Sequence, residues 1–286
     1  MFIMSSRLFL LLPQLLKLFR QPPAPGTYQA YPKLRNFILD VMAEGRRKNI
    51  INLLFEVDVT LARQQLARYG EETGERISLT TFIAKSLACA IDEDKFMHGY
   101  RQGKSKLVLF DEVDLAVMVE RDIHDGRLPV AQIVRSANSK SMNDINKELQ
   151  AAKVLPLGKN GPMSALETYF FELPFCVRKI VWFFIRRDPY LFKQLAGTVG
   201  VTSMGMHVSG QAVLIPITPM TLTLSIGSIG TRLLLDNGIL AEREILQLNL
   251  GADHDIIDGA PLVRFSDRLK KKLEAGSVFD YPQSMC

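Results

Sequence analysis

Two hydrophobic periods alternate along the chain. Short alternating or continuous apolar runs predict strands at LLFEVDV (53–59), LVLF (107–110), DLAVMVE (114–120), LPVAQIV (128–134), GVTS (200–203), QAVLIPI (211–217) and LTLSIGSI (222–229). A further strand is predicted from Ile239 to Gly251, where Ile245, Leu246, Leu248 and Leu250 supply much of the apolar content. Helical spacing appears at Leu79 to Ile91, at Met142 to Ala152, and after Pro261 through Leu262, Phe265, Leu269 and Leu273 to Gly276. Ser141 with Asp144 three residues on is a capping signal for the second of these helices, and Pro261 sits where a first-turn proline is tolerated. Strands and helices mixed in this order predict an α/β domain, a mixed sheet with flanking helices.

No Gly/Ser-rich or Pro-rich linker divides the chain after Leu34 and no internal repeat is visible, so the 286 residues read as one domain, 34–286, behind an N-terminal arm, 1–33. Charge sets the arm apart. Residues 1–39 hold Arg7, Lys17, Arg20, Lys33 and Arg35 and no acid, which accounts for the whole formal net charge of +5. The stretch MFIMSSRLFLLLPQLLKLFRQPP has an apolar and a cationic side if helical, although Pro13 would kink it. It is too short and interrupted to span a bilayer, and Pro13 and Gln14 break the run that a signal peptide needs. Its composition suits interfacial binding at a membrane. The isoelectric point of about 9.1 does not argue for nucleic acid, because the excess charge lies on an apolar arm rather than a polar groove.

The second unusual stretch lies at about 155–196. It includes ETYFFELPFCVRKIVWFFIRRDPYLFKQL, with Trp182 as the only tryptophan and Arg178, Lys179, Arg186 and Arg187 bracketing VWFFI. Arm and insertion together read either as a surface for a membrane or a long acyl chain, or as segments packed on the core or on a neighbouring subunit. Three cysteines, Cys89, Cys176 and Cys286, give no closed disulfide set and no CxxC pair, which points to a reducing, cytoplasmic setting without structural zinc or another metal. Cys89 reads as core packing. No phosphate-binding loop, GxGxxG or HExxH pattern is present, so nucleotide hydrolysis, dinucleotide redox and zinc-protease chemistry lack support.

The candidate chemistry is in GADHDIIDGAPLVRF, residues 251–265. Of four histidines, only His254 is followed four residues later by an acid, Asp258, and then by a glycine, Gly259; His98, His124 and His207 are not. The predicted strand before it and helix after it put His254 on a turn at the sheet rim, where catalytic side chains tend to lie. An imidazole becomes a useful base only when its surroundings fix its orientation and tautomer. The plainer reading is a partly buried histidine beside an N-capping aspartate.

DHDIIDG resembles the DHRxxDG motif of the dihydrolipoamide acyltransferases, the catalytic cores of 2-oxo acid dehydrogenase complexes, whose fold is shared with chloramphenicol acetyltransferase. Further blocks resemble that family in order and spacing: LRNFILDVMAEGRRKNIINLLFEVDVT (34–60), ISLTTFIAKSLACAI (77–91), the run 106–134 followed by SMNDINKELQAAK, and GTVGVTSMG (197–205) against GTFTISNLG. The resemblance implies CoA-dependent acyl transfer, with coenzyme A entering as acyl-CoA, to a thiol or hydroxyl acceptor. In it His254 would be the general base and the Thr202 hydroxyl would stabilise the oxyanion, a threonine where the family has serine, with Ser203 as the alternative. A thiol titrates near 8.5 and an imidazole near 6.5, so a thiol acceptor is the easier chemistry. The resemblance gives Asp258 an orienting role through an ion pair with Arg35, and it includes Gly259 and Asp253 as support. It also implies a homotrimer, or a multiple of trimers, with histidine and hydroxyl contributed by different subunits.

Two departures stand out. Asp255 occupies the arginine position of the motif, and only about 33 residues precede the core, too few for a lipoyl or subunit-binding domain, so no lipoyl group is expected on this chain. The expectation is a stand-alone acyltransferase using a separate acceptor, one version of which is a lipoyl domain on another chain. The alternative is a non-catalytic trimeric scaffold or membrane-associated assembly protein retaining the fold. Lys270, Lys271 and Lys272 read as a solvated face, with a CoA phosphate as the other option.

Overall fold

The computed structural model describes residues 26–28, 31, 35–123, 126–154, 173–203, 210–236, 238–276 and 286. Expectations that fall on residues 1–25, His124, 155–172 and His207 lie outside these. In chain order the elements are α1 (Arg35–Gly45), β1 (Ile50–Asp58), α2 (Thr60–Thr73), α3 (Leu79–Glu93), a 3-10 turn (Lys95–His98), β2 (Tyr100–Gln102), β3 (Lys106–Val108), β4 (Leu115–Ile123) and β5 (Gly126–Val134). They continue with α4 (Met142–Val154), α5 (Phe175–Ile185), α6 (Pro189–Ala196), β6 (Val199–Ser203), β7 (Leu222–Asp236), β8 (Ile239–Asp253) and α7 (Gly259–Ala275).

Six strands form one sheet in the order β1-β8-β7-β6-β4-β5, and β2 pairs separately with β3. The β7–β6 and β6–β4 pairings are parallel and the other three are antiparallel, so this is the mixed α/β sheet that the sequence predicts. Side chains on β4 alternate between two cores, as strand geometry requires. Leu115, Val117 and Val119 face the main core, which α2, α3, α4 and α7 close with Leu66, Phe82, Leu87, Leu149, Phe265, Leu269 and Leu273. Ala116 faces the other side, where Tyr100, Phe110, Trp182, Ile185, Phe192 and Met220 form a smaller cluster. The insertion thus supplies its own patch of core through α5 and α6.

The predicted helix boundaries agree at α3, α4 and α7, and the Ser141 hydroxyl accepts from Asp144 N–H at 3.1 Å as a cap should. The predicted strand at 211–217 is not one. Pro216 lacks a ladder N–H, Leu214, Ile215 and Ile217 are exposed, and the segment touches the sheet where Ala212 exchanges hydrogen bonds with Ser228 at a slip in the β7–β8 ladder. Its apolar content imitates a strand without a partner to pair with. Between β7 and β8, Gly238 has φ 86°, the left-handed region that glycine adopts freely.

The cysteine expectation is overturned. Cys89 and Cys286 form a disulfide across a sequence separation of 197, leaving Cys176 free and exposed. A pairing set by tertiary placement carries no spacing signal in the sequence, and the cysteine count no longer argues for a reducing compartment.

Where β6 begins, a buried polar network fixes the strand. His98 Nε2 lies 3.1 Å from the Phe110 carbonyl, which can only accept, so Nε2 carries the proton and Nδ1 is left to accept from the Thr198 hydroxyl at 3.1 Å. Thr198 also accepts from Asp114 N–H. Gly197 precedes this contact with φ 79°, and a Cβ there would stand 2.9 Å from the Asp114 carbonyl. Burial pushes the His98 imidazole down to about 4. A histidine with a lowered folded value is protonated more readily when unfolded, so its stability contribution is intact above about 6.5 and is lost as pH falls toward 4. The expected loss is about 3 kcal/mol over that window, at about 1.4 kcal/mol per pH unit. Urea titrations of wild type and His98→Gln between these pH values check it, and the variant should show a flatter slope.

Candidate active site

β8 ends at Asp253, and three residues of turn lead to α7 through Ile257 and Asp258. The register of β1 against β8 pairs Ile50 with Asp253, which sets Lys48 and Asn49 beside the turn. Asp253 anchors it. Its side chain is 2 % exposed, its Oδ2 receives Lys48 Nζ at 2.7 Å, its Oδ1 accepts from Asp255 N–H, and its carbonyl accepts from Ile256 and Ile257 N–H. Asp255 is tied by Asn49 Nδ2 at 2.9 Å and lies 3.7 Å from Arg101. His254 is held by its own N–H, which donates to the Asn49 carbonyl at 2.8 Å, while its ring stays about half exposed.

The Asp258 carboxylate approaches His254 Nδ1 at 3.6 Å, longer than a hydrogen bond. Asp258 occupies the N-cap position of α7 yet makes no side-chain capping bond, so the N-capping reading does not hold. What the carboxylate faces is the imidazole. This orientation leaves Nε2 as the ring nitrogen open to a substrate.

Other predicted residues are distributed differently. Arg35 is the exposed first residue of α1, and among the described residues no ion pair joins it to Asp258; the nearby cation is Lys48, engaged by Asp253. A Cβ on Gly259 would meet nothing within 4 Å, so packing within one chain does not explain that glycine. Thr202 and Ser203 lie on opposite faces of β6. Ser203 shares the face of Val199 and Val201 and accepts from the Thr80 hydroxyl at 3.4 Å, whereas the Thr202 hydroxyl has no hydrogen-bond partner among the described residues.

Thr202 and His254 do not meet within one chain. Thr202 pairs with Ser225 and Ser225 with Asn249, five positions before His254. That separates them by roughly 17 Å along the strand and roughly 10 Å across two strand spacings. Two cavities flank the turn instead. An open cleft of about 620 Å³ is lined by Lys48, Ile50, Ile51, His254 and Asp255. A tighter cavity of about 190 Å³ shares Lys48 and Asp255 with it and runs under the insertion between Tyr100, Trp182 and Phe192. Lys48, Asn49 and Arg101 therefore belong to the site although no motif marks them; only the β1–β8 register brings the first two there. Each lysine of the α7 run has an acid within ion-pair distance, Lys270 with Glu274, Lys271 with Asp267 and Lys272 with Glu93.

Two parts of the chain, residues 27–159 and 193–279, match the family model of 2-oxoacid dehydrogenases acyltransferase (catalytic domain). The chain belongs to this family. Its relatives include the lipoamide acyltransferase component of the branched-chain alpha-keto acid dehydrogenase complex of Bacillus subtilis, 25% identical over 88% of this chain and 56% of that protein. Another is the dihydrolipoyllysine-residue acetyltransferase component of the pyruvate dehydrogenase complex of Rickettsia conorii, 23% identical over 72% of this chain and 42% of that protein. The chain spans about half the length of these relatives.

Solved structures with the same fold include a probable dihydrolipoamide acetyltransferase from Listeria monocytogenes, with TM-score 0.64, 21% identity and coverage of 90% of this chain and 98% of that one. The dihydrolipoamide acetyltransferase of Azotobacter vinelandii aligns with TM-score 0.65 and 16% identity, covering 91% of this chain and 100% of that one. In that protein a serine, a histidine 52 residues later and an asparagine four residues after that were investigated for their role in the catalytic mechanism.

Proposed function

We propose that the protein is a CoA-dependent acyltransferase whose site is completed between subunits, with His254 as general base and the Thr202 hydroxyl as oxyanion donor. The observation that carries this reading is His254, half exposed at the end of β8 with Nδ1 turned toward Asp258 instead of that aspartate capping α7. The separation from Thr202 to His254 is 52 positions and Asp258 follows four later, the spacing of the serine, histidine and asparagine studied in the Azotobacter protein. Thr202 is also the hydroxyl of the pair that no described neighbour engages.

Nε2 takes the proton of an acceptor thiol, and the sulfur attacks the thioester carbonyl of acyl-CoA. The resulting oxyanion accepts a hydrogen bond from the Thr202 hydroxyl. When the bond to the CoA sulfur breaks, the imidazolium returns its proton to that sulfur, so base and charge are restored. Asp258 holds the tautomer with the proton on Nδ1 and offsets the transient positive charge, its approach tightening as substrate excludes water. Lys48, locked to Asp253, keeps the turn in register with β1.

The reading is tested by following thioester loss from acetyl-, medium- and long-chain acyl-CoA with dihydrolipoamide as trial acceptor. Acceptor-dependent turnover supports it; absence of turnover with every donor, in a protein that still assembles, favours the non-catalytic scaffold.

Assembly itself makes a prediction. The far end of the β7–β8 hairpin exposes Leu233, Leu235, Ile239 and Leu240, each about two thirds exposed or more, an apolar tip of the kind that a neighbouring subunit covers. Leu235→Asp with Ile239→Asp is expected to shift the sedimentation coefficient from trimer to monomer and to abolish turnover without touching any site residue.

A further inference from the structure

The insertion helix α5 is apolar on both sides. Arg178, Trp182 and Ile185 turn inward, and the two arginines next to this side are taken up by α1, Arg178 by Asp40 at 2.6 Å and Arg186 by Glu44 at 3.3 Å. Of the two readings the sequence leaves open for the insertion, packing on the core holds for Trp182 and Arg178, which are both buried. The opposite side carries Phe175, Ile180, Phe183 and Phe184, exposed by 57, 58, 39 and 59 %. At roughly 100° per residue, positions 175, 179, 183, 176, 180, 184 and 177 fill one continuous arc of roughly 200°. A helix apolar all round is normally a covered helix.

We infer that this outer face of α5 docks on an anionic lipid bilayer surface. Its charges are all of one sign. From Leu173 to Arg187 there is no acid, and the two outward cations sit over aromatic rings, Lys179 at 4.3 Å from the Phe175 centroid and Arg187 at 3.5 Å from that of Phe183. Phenylalanines flanked by cations are the composition of an interfacial helix, where apolar burial and attraction to anionic headgroups act together. The face falls between residues 159 and 193, which the family match skips, so it is not part of the surface that family members share. The apolar arm ahead of α1 is a poor cover for it, because Arg7, Lys17 and Arg20 would meet Lys179 and Arg187 with like charge. The ion pairs to α1 hold the inward side of α5 to the domain and leave the outer face uncovered among the described residues. Among the described residues no helix is long and apolar enough to cross a membrane.

The structure supplies a reporter. Cys176 is exposed, is the one free cysteine, and lies in the middle of the arc. The full chain labelled there with an environment-sensitive fluorophore is mixed with vesicles of phosphatidylcholine alone or of equal parts phosphatidylcholine and phosphatidylglycerol. Docking predicts a blue shift and quenching by spin-labelled lipid on the anionic vesicles, both reversed by salt. The double substitution Phe183→Asp, Phe184→Asp, at exposed positions, should weaken co-sedimentation about tenfold or more while circular dichroism and thermal midpoint hold. The proposal is overturned if the protein ignores anionic vesicles, or if it sediments with an unchanged Cys176 signal, which would assign binding to the arm. It is equally overturned if the double substitution lowers the particle mass in the absence of lipid, which would assign the face to a second copy. None of these readouts depends on acyl transfer.

Discussion

Replacing His254 with alanine is expected to lower acceptor-dependent thioester loss by about 10³-fold or more, with acyl-CoA binding retained, because removal of a positioned general base typically costs about 10²–10⁴. The size follows from geometry. The turn is held without the imidazole: Asp253 keeps Lys48 and the Ile256 and Ile257 amides, and the His254 contribution to it is a backbone N–H that alanine also provides. The variant should therefore fold and assemble, and its loss reports the missing base alone. Asp258→Asn keeps a polar side chain of the same shape facing Nδ1. It should be far milder than Asp258→Ala. Equal damage from both would mean that the negative charge, rather than orientation, is what the imidazole needs.

Thr202→Val is the second large effect, a loss of about 10²–10³ in kcat with KM for acyl-CoA little changed, since an oxyanion donor acts on charge that exists only in the transition state. Valine is close to isosteric and suits a strand, so β6 should keep its pairings with Val199 through Ser203 against Leu222 through Ile226. Thr202→Ser should retain activity, because the hydroxyl survives. Ser203→Ala serves as the control: that hydroxyl is already engaged by Thr80 on the helix-covered face, and its loss should leave kcat near the wild-type value.

Much of this was legible in the sequence, and the exceptions have physical causes. Strong local periodicity marks α3, α4, α7 and the long strands, and caps such as Ser141 act over a few residues, so they could be read directly. The 211–217 segment misled because apolar content does not reveal whether a partner strand exists. Lys48, Asn49 and Arg101 escaped notice because they reach the turn only through strand register and a separate hairpin, which no spacing encodes. Cys89 and Cys286 form a pair only in three dimensions. The insertion leaves surface and core packing both open in the sequence, because it is apolar all round; the fold turns Trp182 inward and Phe183 and Phe184 outward. Conversely, the His254–Asp258 offset is informative because the intervening chain folds back on Asp253, whose carbonyl takes the Ile256 and Ile257 amides, and this brings the Asp258 carboxylate to 3.6 Å from the ring.

The central claim is a site with histidine from one chain and hydroxyl from another, and subunit complementation tests it most directly. His254→Ala and Thr202→Val chains are produced together and purified as mixed assemblies through separate tags. A trimer carrying both tags holds one or two copies of each variant, and in either arrangement one of its three junctions recovers both groups, so the account predicts about a third of wild-type turnover from two variants that are each strongly impaired alone. Turnover in the mixture no higher than the sum of the separate variants would contradict a site shared between subunits.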